Sequence, residues 1–416
     1  MGIRVDWEVE AERERVPVLG EDPQAVRRRR QLRLRLLLLI LLLLALMAAV
    51  ATGVLLRLRY VDWQREEALR DTIASEVTAL RMGDRALFLS LQRSATADWT
   101  TRQESEFERY QQIKQSQEID LTGVVLDLAL EDQRARALVE EVIDGVRYGR
   151  PWFYWRYEDG WHHVPPDYTF WGETRTATNG SVRVRYGALD EHAAQAAAGL
   201  AGRWLDRGCA ALGCTPPPLT LHITPGDGVT TGWSASEADV LILPSPLVRG
   251  GGLDAPFDSA SQLEAANFIA RWLIDRTTPG GLPPESEAEF LRRASVNWMV
   301  GLFLDVGGAS PLLESFASAY GEPALAAVLA GLNPGSTVDA LAAAAGVSAA
   351  PALRVDWSDY LTWRLNSAGS SGQVVQAEQT ADGAGNPLLS ARVQDAGGAL
   401  YTATFAWING RWERTA

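Results

Sequence analysis

Leu36–Leu56 reads LLLLILLLLALMAAVATGVLL, 21 residues without a charge. A helix of that length rises roughly 31 Å, about the thickness of a bilayer's hydrocarbon core. A buried helix of a soluble protein keeps one polar side, and this stretch has none. A cleaved signal segment has a shorter apolar run close to the N-terminus, whereas this run follows 35 mostly polar residues. The stretch therefore predicts an uncleaved transmembrane helix over 36–56. Its flanks predict an orientation. Arg27, Arg28, Arg29, Arg30, Arg33 and Arg35 crowd one side, against Arg57, Arg59 and Arg65 on the other. By the positive-inside rule the N-terminus is cytoplasmic and residues 57–416 are extracytoplasmic, in the cell envelope. Ala49 and Gly53, small residues four apart, favour close approach of a second helix.

That division gives the composition its meaning. The chain has 416 residues, 47% hydrophobic and 22% charged, with a formal net charge of −13. The length calls for more than one domain, and the apolar content excludes general disorder. Residues 1–35 carry nine Arg and seven acids, a net +2, which leaves 30 basic and 45 acidic residues in 57–416, a net −15. So acidic an exported part argues against nucleic acid and against anionic lipid as partners. The tail at 1–35 is too short and too polar to fold alone. It reads as disordered, with a cytoplasmic docking peptide as the alternative.

Region 58–175 opens with helices. Leu69, Ile73, Val77 and Leu80 share one helix face. Gly83-Asp84 breaks it, a short helix carries Leu87, Phe88 and Leu91, and a third helix near 100–115 places Phe107, Tyr110 and Ile113 on one side. Ile119–Leu130 and Arg134–Val146 read as strands. Trp152–Tyr157 and Trp161–Val164 flank Asp159-Gly160, a strong hairpin signal. Helices followed by a meander of long strands predict a curved antiparallel sheet with helices on its concave face. This order, with its Asp-Gly-Trp hairpin, resembles the nuclear transport factor 2-like fold, a cone-shaped group that includes ketosteroid isomerase and hosts enzymes, ligand binders and interaction modules alike. Adjacent His162 and His163 face opposite sides of a strand and cannot line one pocket together. They read as surface histidines. Asp127, Glu131 and Asp132 are the acids nearest to hand for a pocket, and nothing in their spacing marks them out.

Region 180–366 runs strand (Ser181–Tyr186), helix (Glu191–Arg207), strand (Leu219–Thr224), strand (Asp239–Leu243), then helices near 260–277, 286–305, 311–320, 323–332, 336–346 and 356–366. Cys209 and Cys214, in the turn between the first helix and Pro216-Pro217-Pro218, predict a local disulfide, as expected outside the cytoplasm, with two free thiols as the alternative. The order resembles the core of gluzincin, thermolysin-like metallopeptidases. There the first long helix after the sheet carries HExxH, two zinc-binding histidines one turn apart and a general-base Glu. A later helix supplies the third ligand in a pattern like WxxEGLA. Aligned on this chain, Asn267 and Arg271 stand at the histidines, Phe268 at the base and Val300, before Gly301-Leu302, at the third ligand, while Trp298 falls one residue late. Arg cannot ligate zinc, Phe and Val offer no lone pair, and Asn is a poor ligand. No His follows His222, and His162, His163, His192 and His222 contain no pair four apart. The resemblance therefore implies an inactivated peptidase-like domain with no catalytic, metal or cofactor residues.

Other chemistry is unsupported. No Gly-x-Ser-x-Gly elbow occurs. Gly250-Gly251-Gly252 lacks the Lys-Ser/Thr of a phosphate loop and reads as a mobile loop, and Pro279-Gly280-Gly281 reads as a turn between helices. His192 is expected to be exposed and His222 half-buried. After the flexible link Ser367–Gly372, strands at 373–379, 388–394 and 399–408, with an Asn409-Gly410 hairpin, predict a small antiparallel β-module over 367–416. Such a sheet is marginal alone and must pack on another part of the chain.

The sequence thus predicts an α+β multidomain protein on one N-terminal transmembrane helix: a curved antiparallel sheet with helices, a peptidase-like sheet with a helical lobe, then a small antiparallel sheet. The function expected is a non-enzymatic binding or scaffolding module for an envelope protein or peptide. The alternatives are an extracytoplasmic hydrolase with an unrecognised site and an envelope structural or sensory protein signalling through the tail.

Overall fold

A computed structural model describes residues 23–415. Helix α1 spans Pro23–Met82. It is apolar and long enough to cross a membrane, and none of its apolar window is buried. It begins 13 residues before the apolar run, so the tail from Pro23 to Arg35 is helical, where an unstructured tail was expected; residues 1–22 lie outside the described residues. Up to Asp71 the chain forms one unit, and from Thr72 onward it forms a second compact one.

In the second unit the end of α1 buries Ile73, Val77 and Leu80, the face marked by their spacing. Gly83 turns the chain with a positive φ, and Asp84 caps α2 (Arg85–Ser90) by accepting from the Leu87 amide at 2.9 Å. Helix α3 (Ala97–Ser116) buries Trp99, Phe107 and Tyr110. Five antiparallel strands follow: β1 (Ile119–Asp120), β2 (Val125–Glu131), β3 (Arg134–Ile143), β4 (Val146–Tyr157) and β5 (Gly160–Val164). They curl into a half-barrel in which β1 and β2 share one edge of β3. The single strand expected over 119–130 is split at Gly123, whose φ of +73° a β-strand cannot continue. The strand expected over 134–146 ends at Ile143, because Asp144 and Gly145 both take positive φ and form a second two-residue hairpin turn. Along β4 the pleat divides the aromatics. Tyr154 reaches Glu76 on α1, and Phe153 stacks on Trp171 of the following segment.

The second sheet begins earlier than the expected boundary at 180. Strand β6 (Thr174–Asn179) pairs antiparallel with β7 (Val182–Gly187). Helix α4 (Glu191–Leu212) then crosses to β8 (Leu219–Thr224), parallel to β7. A two-residue β9 (Gly232–Trp233) and β10 (Val240–Pro244) complete the order β6-β7-β8-β10-β9, with β10 parallel to β8 and β9 antiparallel at the edge. Cys209 lies on the last turn of α4 and is bridged to Cys214 across Gly213, the left-handed residue that ends the helix. The helical lobe comprises α5 (Pro246–Arg249), α6 (Ser259–Thr277), α7 (Glu287–Leu304), α8 (Pro311–Tyr320), α9 (Glu322–Gly331), α10 (Asp339–Ala344) and α11 (Ser358–Ser367). Helices α4, α6 and α7 meet at Gly208. A Cβ there would lie 2.7 Å from Leu273 Cδ2 and 3.1 Å from Met299 Sδ and Phe303 Cε1, so only glycine admits the approach.

The C-terminal meander β11 (Gln373–Ala381), β12 (Pro387–Gln394), β13 (Leu400–Ile408) and β14 (Arg411–Arg414) packs on α11. Arg364 donates to the Trp412 carbonyl at 3.0 Å, and Trp357 meets Trp412 edge to face. Phe405 and Trp412 belong to the same continuous core as α4, α6 and α7. The marginal sheet is thus completed by the helical lobe.

Candidate functional site

Three places combine polar side chains with space. The first lies between the helices and the half-barrel. Glu76, 1% exposed, accepts from Tyr154 Oη at 2.9 Å and from Gln92 Nε2 at 2.9 Å, and its Oε1 is 2.7 Å from His163 Nδ1. Trp99, Trp152 and Tyr154 surround the imidazole. His163 is therefore buried, not the surface histidine expected, because the strand pleat turns it inward against a carboxylate 87 residues earlier. His162 points the other way, edge-on to Tyr157. Burial and the adjacent Glu76 charge hold the Tyr154 hydroxyl well above its ordinary pKa. Around this cluster, burial pushes Glu106 up, but the hydrogen bond and charge of Arg109 outweigh it and leave the carboxyl low. Arg150 closes on Glu141 at 2.7 Å. The remaining cavity is about 50 Å³, room for a few waters and far below what an organic ligand needs. The acids noted in the sequence stay outside it: Asp127 and Glu131 pair with Arg136 and Arg134, and Asp132 sits in the β2–β3 turn.

The second is a cavity of about 590 Å³ where β4 meets the 246–258 segment and the start of α6. Gly250–Gly252 line it, and they are held in place: Gly251 donates to the Pro246 carbonyl at 2.7 Å and the next residue, Leu253, to the Arg147 carbonyl at 2.7 Å. A Cβ on Gly251 would lie 2.4 Å from the Pro256 carbonyl oxygen. The mobile loop expected is thus a tethered turn that needs its glycine. The charges here satisfy one another. Glu264 accepts from Thr231 at 2.7 Å and lies 3.5 Å from Arg249, which also donates to the Val229 carbonyl. The remaining lining carboxylate, Asp258, caps α6 by accepting from the Ser261 amide at 2.7 Å.

The third is an open cleft of about 410 Å³ walled by α6, α7 and α11. Asn267 and Arg271, one turn apart on α6, line it, together with Arg293 and Asn297, one turn apart on α7. All four are exposed. Trp363 and Phe290 stack at 5.1 Å and form the apolar wall. Val300 is not part of it: it is buried in the core, as is Trp298, and Phe268 packs against that core half-buried. Of the four aligned positions singled out in the sequence, Asn267 and Arg271 share the cleft, and Phe268 and Val300 do not. Sequence reasoning missed Arg293 and Asn297, although the Arg-x-x-x-Asn spacing on α7 mirrors the Asn-x-x-x-Arg spacing on α6.

Charge is unevenly spent in this cleft. Arg292 is held by both oxygens of Glu289 at 2.8 Å and by Asp275. Asp359 is engaged inward, accepting from Ser310 Oγ at 2.8 Å and from the Leu312 amide at 3.2 Å, and burial raises its pKa. Arg293 is left with Glu289 at 3.9 Å. Arg271 has no hydrogen bond and no ion pair among the described residues, and feels Glu289 only at longer range.

Among the described residues no three His, Cys, Asp or Glu side chains gather as they would around a metal ion. His192 is exposed and His222 half-buried on β8, where burial and Arg185 lower its pKa. Comparison with protein families, curated proteins and solved structures finds no match for this chain.

Proposed function

We propose that the protein is a single-pass membrane protein, N-terminus inside, whose region from residue 57 onward works outside the cytoplasm as a non-enzymatic binding or scaffolding module for an envelope protein or peptide. The apolar α1 and the Arg excess on its N-terminal flank support the anchor and its orientation. The observation that carries the binding reading is the cleft beside α6 and α7. Those are the helices that, in the peptidase resemblance, hold the zinc ligands and the general base. Here the exposed positions present Asn267, Arg271, Arg293 and Asn297 to a space of ligand size. Amides and guanidinium groups hydrogen-bond well and neither bind zinc nor take a proton at neutral pH. In this reading the scaffold has kept a cleft and lost the means to cut what occupies it. The half-barrel's interior, filled by its own side chains, supports a structural role there.

Metal analysis of the purified full chain tests the reading. We expect less than a tenth of an equivalent of zinc after gel filtration, and stoichiometric tightly bound zinc would overturn it. Protease protection in sealed vesicles tests the orientation, the expected outcome being cleavage of the region beyond residue 57 only from the extracytoplasmic side.

A further inference from the structure

Four of the cleft's polar residues, the exposed pairs on α6 and α7, stand at matching positions on the two helices. Helices α6 and α7 are joined by the short turn at 278–286 and pack against each other. Counting from that turn, Arg271 lies six residues before the end of α6, and Arg293 six residues after the start of α7. Asn267 and Asn297 each lie one further turn away. Each guanidinium is thus the residue nearer the connection and each carboxamide lies one turn, about 5.4 Å, further along its helix. Of the three Arg that line the cleft, Arg292 is fully paired, while Arg271 and Arg293 keep unspent donors. The one lining carboxylate, Asp359, is turned inward to Ser310 and Leu312. In a chain with 52 acidic and 39 basic residues, a cleft whose open face is cationic runs against the overall charge.

We propose that this cleft binds a peptide that presents a carboxylate, with Arg271 and Arg293 taking the carboxylate and Asn267 and Asn297 the adjoining peptide group. Guanidinium groups offer paired N–H donors that match the two oxygens of a carboxylate. A carboxamide donates and accepts at once, which is the complement of a backbone amide. The Phe290–Trp363 wall and Ala294 give the peptide's side chains an apolar surface. A metal cation is disfavoured by the Arg pair, and a stacked sugar by Trp363, whose ring is already taken by Phe290 on one side and approached by Arg364. The inference rests on the binding-module reading and names the ligand class of that same cleft.

Calorimetric titration of the full chain in nanodiscs at low salt tests it with three probes: N-acetylated penta-alanine with a free C-terminus, its C-terminal amide, and an amidated peptide with a central Glu. The expected result is binding of at least one carboxylate peptide about tenfold or more tighter than the neutral amide. The arm that binds identifies the source as a chain terminus or an acidic side chain. Arg271→Gln and Arg293→Gln should each weaken that binding about tenfold, while Arg354→Gln, an exposed change elsewhere, should leave it unaltered. Equal binding of the neutral amide, insensitivity to both cleft substitutions, or no carboxylate binding up to about 10 mM would overturn the proposal. The two readings fail separately. Stoichiometric zinc would sink the non-enzymatic module without touching the carboxylate result. Neutral-peptide binding indifferent to Arg271 would sink the carboxylate site and leave the module standing.

Discussion

The half-barrel interior and the α6–α7 cleft both gather charged side chains, and they do opposite things with them. Around Glu76 the donors and acceptors meet one another in a space that admits little more than water. Along the cleft the walls stand open, and two Arg keep donors that no group among the described residues uses. A buried carboxylate beside a histidine and a tyrosine has the look of catalytic machinery. Once its partners are counted it behaves as a fastening: the Glu76 carboxylate is taken by Tyr154, His163 and Gln92, and the space beside it is too small for a substrate, although Gln92 Oε1 and Trp99 Nε1 are buried without a partner among the described residues. The informative signal for binding is unspent hydrogen-bonding capacity next to solvent.

Substitutions can break this contrast. The largest effect is expected at Glu76. Replacing it with Ala strands the Tyr154 hydroxyl, His163 and Gln92 without their acceptor, and chemical denaturation followed by Trp fluorescence should show a loss of about 3 kcal/mol or more. A loss under about 1 kcal/mol would mean that water reaches the network freely and that the fastening role is wrong.

Next comes Asp190, which accepts from Trp171 Nε1 and Ser245 Oγ, both at 2.6 Å, and is 1% exposed. Burial outweighs those hydrogen bonds and pushes its carboxyl up to about 6. A carboxyl raised in the folded state binds its proton there more tightly than in the unfolded chain. Stability is therefore gained as pH falls from about 6 towards 4, and is absent above 6. The gain amounts to as much as about 3 kcal/mol. Thermal or denaturant midpoints measured from pH 7 to pH 4 should lose this rise in Asp190→Asn, and an identical profile in the variant would refute it.

The disulfide is expected to matter slightly less. Closing so short a loop removes about 2 kcal/mol of unfolded-state freedom, so Cys209→Ser with Cys214→Ser should lower stability by that amount. The smallest change in stability belongs to the cleft. Arg271→Gln should stay within about 0.5 kcal/mol of the parent in denaturation, because Arg271 spends nothing on the fold. A larger loss would show that the open cations are structural after all and would erase the distinction between the two regions.

What could be read from the sequence follows the range of the interactions. The apolar stretch at 36–56, the Asp159-Gly160 hairpin, the α1 face through Ile73, Val77 and Leu80, and the Cys209–Cys214 bridge are all local patterns, and each has its counterpart in the structure. Strand β6 escaped because it is an edge strand, exposed at most positions, with no apolar alternation to betray it. The burial of His163 escaped because its partner is on a helix 87 residues away. At the cleft, Asn267 and Arg271 were marked as places where zinc ligands were missing. Their meeting with Arg293 and Asn297 depends on how two helices face each other, which neither helix records alone.

The glycine at position 208 carries a consequence for that cleft. With no side chain of its own, it lets Leu273 of α6 and Met299 and Phe303 of α7 close on a single point of α4. The two helices are pinned there like blades at a rivet, inside one continuous close-packed core. The gap between their outer faces is then set before any guest arrives. Whatever settles into it must match an aperture already cut, and selection falls to fit rather than to closure.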